Sequence, residues 1–295
     1  MLKTRYFMNL FSIENLKCSY DRPYIKGRSR VVLEIERLDI ARGQKIFIVG
    51  ESGIGKSTIL ETLGLMNDTL VPESNSRFIF FDIDGNEKDL IRMWQATDDE
   101  LSAFRRTNYS FIFQSTNLMP NFTAYENVAF TRMQQGYRRE EAFERARQVL
   151  SDLGLENLDE TRMAQELSGG QQQRLAFARA ILPDFTVLFG DEPTGNLDAE
   201  NAMRVMSILA RKLDERQGAS AIIVSHDMHL ATTFADVIIK IKKQTRPRQQ
   251  ENDDEQVYGL INEACVFVPN DIRTEWSNGE YRLPTAEFEE YLRKK

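Results

Sequence analysis

Lys45-Ile46-Phe47-Ile48-Val49-Gly50-Glu51-Ser52-Gly53-Ile54-Gly55-Lys56-Ser57-Thr58-Ile59-Leu60-Glu61-Thr62-Leu63 decides how the rest of the chain is read. A short apolar run suited to a buried strand enters a glycine-rich turn, and the turn opens into helical periodicity. Glycines at 50, 53 and 55 let successive backbone N–H groups turn inward around an anion, and the following helix N-terminus adds partial positive charge at the same point. In a loop of the form G-x-x-x-x-G-K-[ST], the lysine reaches terminal phosphates and the hydroxyl ligates Mg²⁺; here these are Lys56 and Ser57. Gly50, Glu51, Ser52, Gly53, Ile54, Gly55, Lys56, Ser57 and Thr58 are therefore candidate phosphate-binding residues. The bland alternative is a glycine-rich turn with an unrelated lysine.

Outside this stretch, composition sets limits. The chain has 295 residues, 41% of them hydrophobic, enough for one large α/β domain with an appendage. Its net charge of −7 gives no basic footprint, so no nucleic-acid partner is expected. Cys18 and Cys265 lie far apart and lack metal-ligand spacing, which suggests neither a disulfide framework nor a zinc site and fits a reducing cytosol. No run of about 20 apolar residues exists to span a bilayer. Lys3 and Arg5 before Phe7-Met8-Asn9-Leu10-Phe11 superficially resemble a signal peptide, but the apolar segment is short and Glu14 interrupts it.

Alternating segments at 11–20 and 31–40 read as half-buried strands joined by a polar loop carrying Arg22, Lys26, Arg28 and Arg30. The helix after the glycine loop should run to about Met66. Residues 67–76 read as loop and 77–83 as a strand. Thr97 and Thr123 each begin a capping box, and 138–153 show helical periodicity with Gly154 as the stop. Further strands are expected at 109–113, 185–189, 221–224 and 237–241, and helices from Gly169 to Leu182 and from 199 to 213. Strands alternating with helices imply a mainly parallel sheet whose C-terminal ends carry the site. Residues 242–256, without an apolar side chain, read as an exposed linker or a long surface turn; 257–268 read as a strand pair and Thr285 as the cap of a last short helix.

Phe185-Thr186-Val187-Leu188-Phe189-Gly190-Asp191-Glu192 is an apolar strand that delivers two adjacent carboxylates. Beside a phosphate loop, Asp191 is placed to hold Mg²⁺ and Glu192 to act as general base for an attacking water. The alternative is an ordinary pair of strand-end charges. Leu167-Ser168-Gly169-Gly170-Gln171, opening a helix, then completes an ordered set over residues 10–241 that resembles the ATPases of the ATP-binding-cassette (ABC) family.

The resemblance implies an α/β phosphate-loop fold with a mainly parallel central sheet, an antiparallel β subdomain and a helical signature subdomain at about 115–175. It implies ATP as substrate with Mg²⁺, bound by Ser57, Gln114 and Asp191. Tyr20 matches the aromatic that stacks on adenine, Gln114 the glutamine linking the subdomains, Asp198 the end of the Gly195-Asn196-Leu197-Asp198 turn, and His226 the switch histidine. Lys56, Gln114, Glu192 and His226 are the candidate catalytic residues; Ser168, Gly169, Gly170 and Gln171 are candidates for a partner's nucleotide across a head-to-tail dimer. Tyr20 can instead be a plain strand-end aromatic and Gln114 a plain strand-end polar residue.

Phe113-Gln114-x-x-Asn117-Leu118-x-Pro120-x-x-Thr123-Ala124-x-Glu126-Asn127-Val128 and Asp191-Glu192-Pro193-Thr194-Gly195-Asn196-Leu197-Asp198 resemble the LolD, MacB and FtsE group, which serves lipoprotein release, macrolide export and cell division. That branch implies a homodimer bound to a separately encoded membrane permease, cytoplasmic and peripheral on the inner face of the membrane, with Met119 and Phe122 in a groove for a permease helix. Residues 68–94 depart from the group's pattern, and so does the stretch from Lys242 on, made of the polar segment 242–256 and a small C-terminal extension at 257–295. The alternative class is a soluble cassette ATPase in DNA repair, chromosome organisation or translation; the coiled-coil or zinc insertions, or second cassette, of those proteins are not seen in this sequence.

Overall fold

The computed structural model describes residues 8–21, 29–216, 218–246 and 256–294. The signal-like residues before Met8, and Arg22, Lys26 and Arg28 of the first loop, lie outside them. Two compact units are formed, Met1–Leu101 with Val224–Lys295, and Ser102–Ile223.

The first unit carries an antiparallel sheet and a parallel one. Strands Asn9–Asp21 and Ser29–Ala41 pair antiparallel along nearly their whole length, Ile13 opposite Leu38 and Tyr20 opposite Arg30. Their inward phase changes midway: Phe11 and Ile13 are buried on one strand, then Leu16 and Cys18. Asn15 sits at the change with φ 50, a left-handed conformation that asparagine tolerates better than most side chains. Arg77–Phe81 adds to the sheet so that Phe11 packs on Phe78 and Phe80 at centroid distances of 6.2 and 5.4 Å.

The strand Lys45–Val49 pairs in parallel with Val237–Lys240, and both are largely buried, as the unbroken apolar runs require. Helix Lys56–Leu63 follows the first strand and ends at Leu63, three residues before the expected Met66, with Gly64 as its C-cap; Leu65, with φ 56, has already left helical geometry. Residues 67–76 contain the two-residue strand Leu70–Val71, paired with Lys17 and Cys18. The next strand ends at Phe81 because Asp82 accepts hydrogen bonds from the backbone N–H groups of Asp84 and Asn86 and bends the chain.

The C-terminal part departs from the reading of 242–256 at Lys242–Arg246 and Gln256, while 247–255 lie outside the described residues. Lys242–Arg246 is a strand, antiparallel to Gln256–Ile261, which pairs in parallel with Ser29–Ala41. Lysine, glutamine and threonine are no obstacle there, because the strand is an edge and its charged side chains reach water. The expected strand pair within 257–268 also differs: Gln256–Ile261 and Val266–Pro269 are strands, but a 3-10 turn at Glu263–Cys265 sends the second to Val237–Lys240. Thr285 is the first residue of helix Thr285–Arg293 rather than its cap, and its hydroxyl donates to Arg273 O at 2.7 Å.

In the second unit, Tyr109–Ile112 pairs in parallel with Val187–Asp191, and Ser220–Val224 lies on the far side of the latter. Tyr109, Phe111 and Phe189 form a contiguous aromatic cluster. Helices Ala124–Gln134, Arg139–Asp152, Gly169–Ile181 and Ala199–Glu215 belong to the same unit, the first opened by the expected Thr123–Glu126 capping box.

Candidate active site

Each unit holds its own set of candidate groups. In the first unit, the left-handed conformations that the loop demands fall on glycine: Gly53 has φ +77 and Gly55 φ +103. A Cβ on Gly55 would also stand 3.2 Å from Val32 O, so glycine serves both conformation and clearance. Lys56 is buried, and its Nζ donates to Gly50 O at 3.0 Å and to Glu51 O at 2.8 Å, holding the cation inside the loop's curve. Ser57 is exposed on the first helical turn, whose N–H groups have no intrahelical acceptor by construction. Tyr20, 44% exposed, places its Oη 3.4 Å from Thr58 Oγ1, so the aromatic at the strand end adjoins the loop helix.

His226 is exposed at the turn after strand Ser220–Val224. Ser225 N donates to Ile48 O at 3.3 Å, while Ser225 Oγ accepts from Asp227 N at 3.0 Å and Asp227 caps helix Met228–Phe234. These bonds fix the backbone on both sides of the imidazole.

In the second unit, Val187–Asp191 delivers Asp191 and Glu192 from a buried strand to partly exposed positions. Glu192 has φ 48, a left-handed conformation that costs a non-glycine residue roughly 1–2 kcal/mol. The turn is supported by Gly195 N donating to Glu192 O at 3.1 Å. Gln114 Nε2 lies 3.5 Å from Glu192 Oε2, so the amide and the candidate base share one place.

Ser168 and Gln171 form a reciprocal cap: Ser168 Oγ accepts from Gln171 N at 3.3 Å, and Gln171 Oε1 accepts from Ser168 N at 2.9 Å. Gln171 thereby orients the signature helix with its own side chain. Gly169 and Gly170 border open space, where a Cβ would meet nothing within 4 Å. Asp198 caps Ala199–Glu215, accepting from Asn201 N at 2.9 Å and Asn201 Nδ2 at 2.7 Å, and these bonds hold its carboxyl below the ordinary range.

Several supporting residues escaped the sequence reading. Gln173 is fully buried in the signature helix and donates to Pro193 O at 2.9 Å, next to Glu192. Its place on the stripe of Ala176, Phe177 and Ala180 was the available signal, since a lone polar residue on an apolar stripe needs a partner. Arg179 donates to Asn117 O at 2.6 Å and Thr116 O at 2.9 Å, gripping the segment after Gln114. Buried Asn127 accepts from Met119 N and donates to the carbonyls of Met119, Phe122 and Thr123, which folds that segment onto its helix.

The Ser57 hydroxyl, the Gln114 amide oxygen and the Asp191 carboxylate are hard oxygen donors of the kind that suits Mg²⁺, which is typically bound through one or two carboxylates together with substrate phosphates and water. Among the described residues no group of three or more His, Cys, Asp or Glu forms an all-protein metal cage. No helix among them is long and apolar enough to cross a membrane.

Comparison with known proteins identifies the family and the fold. The family model described as "ABC transporter" matches residues 33–195. The macrolide export ATP-binding/permease protein MacB of Aggregatibacter actinomycetemcomitans is 40% identical over 236 residues, 80% of this chain and 34% of that protein. The chain thus spans about a third of that relative's length. The lipoprotein-releasing system ATP-binding protein LolD of Nitrobacter winogradskyi is 39% identical over 211 residues, 71% of this chain and 85% of that protein. A dimeric ATP-binding cassette solved in a post-hydrolysis state with ADP and phosphate superimposes with a TM-score of 0.66 at 31% identity, covering 79% of this chain and 94% of that one. The chain belongs to the ABC transporter family and carries the fold of its ATPase cassettes.

Proposed function

We propose that the chain is the ATP-binding and hydrolysing subunit of a membrane complex, that it dimerises head to tail around two ATP, and that it drives a separately encoded permease from the cytoplasmic face of the membrane. The observation that carries the chemistry is Glu192, held in a left-handed turn with Gln114 at 3.5 Å. A carboxylate kept in a costly backbone conformation by its surroundings is the pattern of a positioned base. Glu192 accepts the proton of the attacking water, Gln114 orients that water, and His226 contacts the terminal phosphate. Lys56 and the loop amides hold the β- and γ-phosphates, and Tyr20 stacks on the base. Ser57, Gln114 and Asp191 would hold Mg²⁺, whose chemistry there would be to neutralise phosphate charge.

Ser168, Gly169 and Gly170 face the partner's nucleotide in this reading. An exposed helix N-terminus contributes only about 0.3–1 kcal/mol, so it works together with the hydroxyl and a dehydrated interface. Hydrolysis removes the γ-phosphate from that interface and loosens the dimer. Similarity to LolD and MacB supports a membrane partner over the soluble repair, chromosome or translation alternative; no nucleic-acid partner is proposed. Residues 257–295 are proposed as an extension of the cassette, developed below.

Glu192→Gln tests the mechanism: ATP still binds, turnover falls by about 10²–10⁴, and an ATP-dependent dimer accumulates in size-exclusion chromatography. A monomer with undiminished turnover overturns the mechanism. Gentle detergent extraction of the tagged protein should recover a multi-spanning partner; recovery of ribosomes or DNA without a membrane protein favours the soluble class.

A further inference from the structure

Tyr20, Arg30, Val32, Gly53 and Val257 line one cavity of about 270 Å³ in the first unit. That lies just below the roughly 300–1,000 Å³ of a complete small-molecule site, a size that suits part of a ligand. Four of the five residues come from the paired N-terminal strands and the phosphate loop. Val257 comes from Gln256–Ile261, the strand beyond the stretch read as a linker.

The chemistry of the lining is specific. Tyr20 and Arg30 are directly opposed on antiparallel strands, so both side chains leave the sheet on one face. Tyr20 offers a ring and Arg30 a planar guanidinium, both able to stack on a heteroaromatic base. Val32 and Val257 add apolar wall. Gly53 is open to the cavity, since a Cβ there would meet nothing within 4 Å, and it joins the cavity to the phosphate loop.

The C-terminal strands are fixed in this position by independent contacts. Gln256–Ile261 runs in parallel register with Ser29–Ala41, Gly259 opposite Leu33, and Gln256 Nε2 donates to Val31 O at 3.3 Å. Lys243 Nζ forms an ion pair with Glu51 of the phosphate loop at 3.0 Å. Lys240, one residue before Ile241, donates to Tyr291 O and Lys294 O at 2.6 and 3.2 Å, which ties the last helix to the same strand system.

We propose that Val257 is a nucleotide-binding residue that supplies a third wall to the base subsite, with Arg30 across from it, so that the C-terminal strand is part of the ATP site. This rests on the reading of Gly50–Thr58 as the phosphate cradle. The ligand class is a nucleoside triphosphate whose planar base enters between Tyr20, Arg30 and Val257.

The test uses the full chain, calorimetric titration with Mg-ATP and with inorganic tripolyphosphate, and a melting curve for each variant. Val257→Asp should raise the Kd for ATP about tenfold or more and leave the Kd for tripolyphosphate unchanged, because a base wall touches only the base. Val257→Ala, a milder change at a partly exposed position, gives the same contrast at about threefold if the aspartate variant does not fold. ATP affinity equal to wild type in Val257→Ala overturns the proposal, as does an equal loss of both ligands in a variant that melts normally. Lys56→Ala separates the underlying reading: it should lose both ligands, and retention of both sinks the phosphate cradle itself.

Discussion

Gly259 faces the carbonyl oxygen of Ile54 so closely that a Cβ on Gly259 would sit well inside van der Waals contact of that oxygen and 2.7 Å from Ile241 Cγ2. The C-terminal strand and the phosphate loop are therefore packed backbone against backbone, with no side chain between them. Gly259 is not in the left-handed region on the evidence of its strand pairing; it is required for clearance.

Gly259→Ala consequently probes the phosphate loop from outside it. The new methyl group must displace either the Ile54 carbonyl or the strand, at a cost typical of overpacking, about 1–3 kcal/mol. ATP affinity should fall with it, because Ile54 and Gly55 belong to the loop. Urea unfolding and ATP titration check this together; a variant with unchanged stability and unchanged affinity shows that the two backbones are not in contact.

Asp198 illustrates how a motif residue can carry a local role that its motif does not reveal. Its carboxylate caps Ala199–Glu215 and accepts twice from Asn201. Asp198→Ala should lower the melting temperature, while Asp198→Asn, which can still accept from a backbone N–H, should keep most of it. The sign with pH follows from the depressed pKa. The carboxylate's contribution is fully present above about pH 4, the ordinary aspartate range, and fades as pH falls through the lower value of the folded state. The melting difference between wild type and Asp198→Ala should therefore narrow in acid; a difference that widens there means another interaction dominates.

The strand-loop-helix of 45–63, the carboxylate strand and the capping boxes were legible because each is local: spacing within a dozen residues determines what the backbone can do. Glu192 was identifiable as a candidate base, but its left-handed φ was not, since glutamate has no preference for that region. Within 242–256 the reading departs from the structure at Lys242–Arg246 and Gln256, for a different reason. An edge strand needs only one partner, and Lys242–Arg246 takes Gln256–Ile261 while leaving its polar side chains in water, so periodicity leaves no trace. Val257 and Gly259 escaped because their significance lies in residues more than 200 positions away, Ile54 and Tyr20, which only the parallel pairing with Ser29–Ala41 brings near.

Arg179 offers a test of how the segment after Gln114 is held. Its guanidinium donates to the carbonyls of Thr116 and Asn117, and Asn117 has φ 46, so the arginine braces a left-handed turn of the kind that asparagine tolerates. Burial lowers the arginine's pKa, but a guanidinium stays charged at neutral pH. Arg179→Lys supplies one compact ammonium in place of a planar fork and cannot reproduce two divergent bonds, so it should lose nearly as much as Arg179→Ala. Thr116 O is partly buried, and leaving it without its donor costs about 1–3 kcal/mol, whereas Asn117 O is exposed and can turn to water. If this turn also positions Gln114 for hydrolysis, kcat should fall in both variants while the Kd for ATP stays near wild type, because the phosphate loop is untouched. Steady-state ATPase assays with parallel ATP titrations separate the two effects; a rise in Kd with kcat preserved assigns Arg179 to nucleotide binding instead.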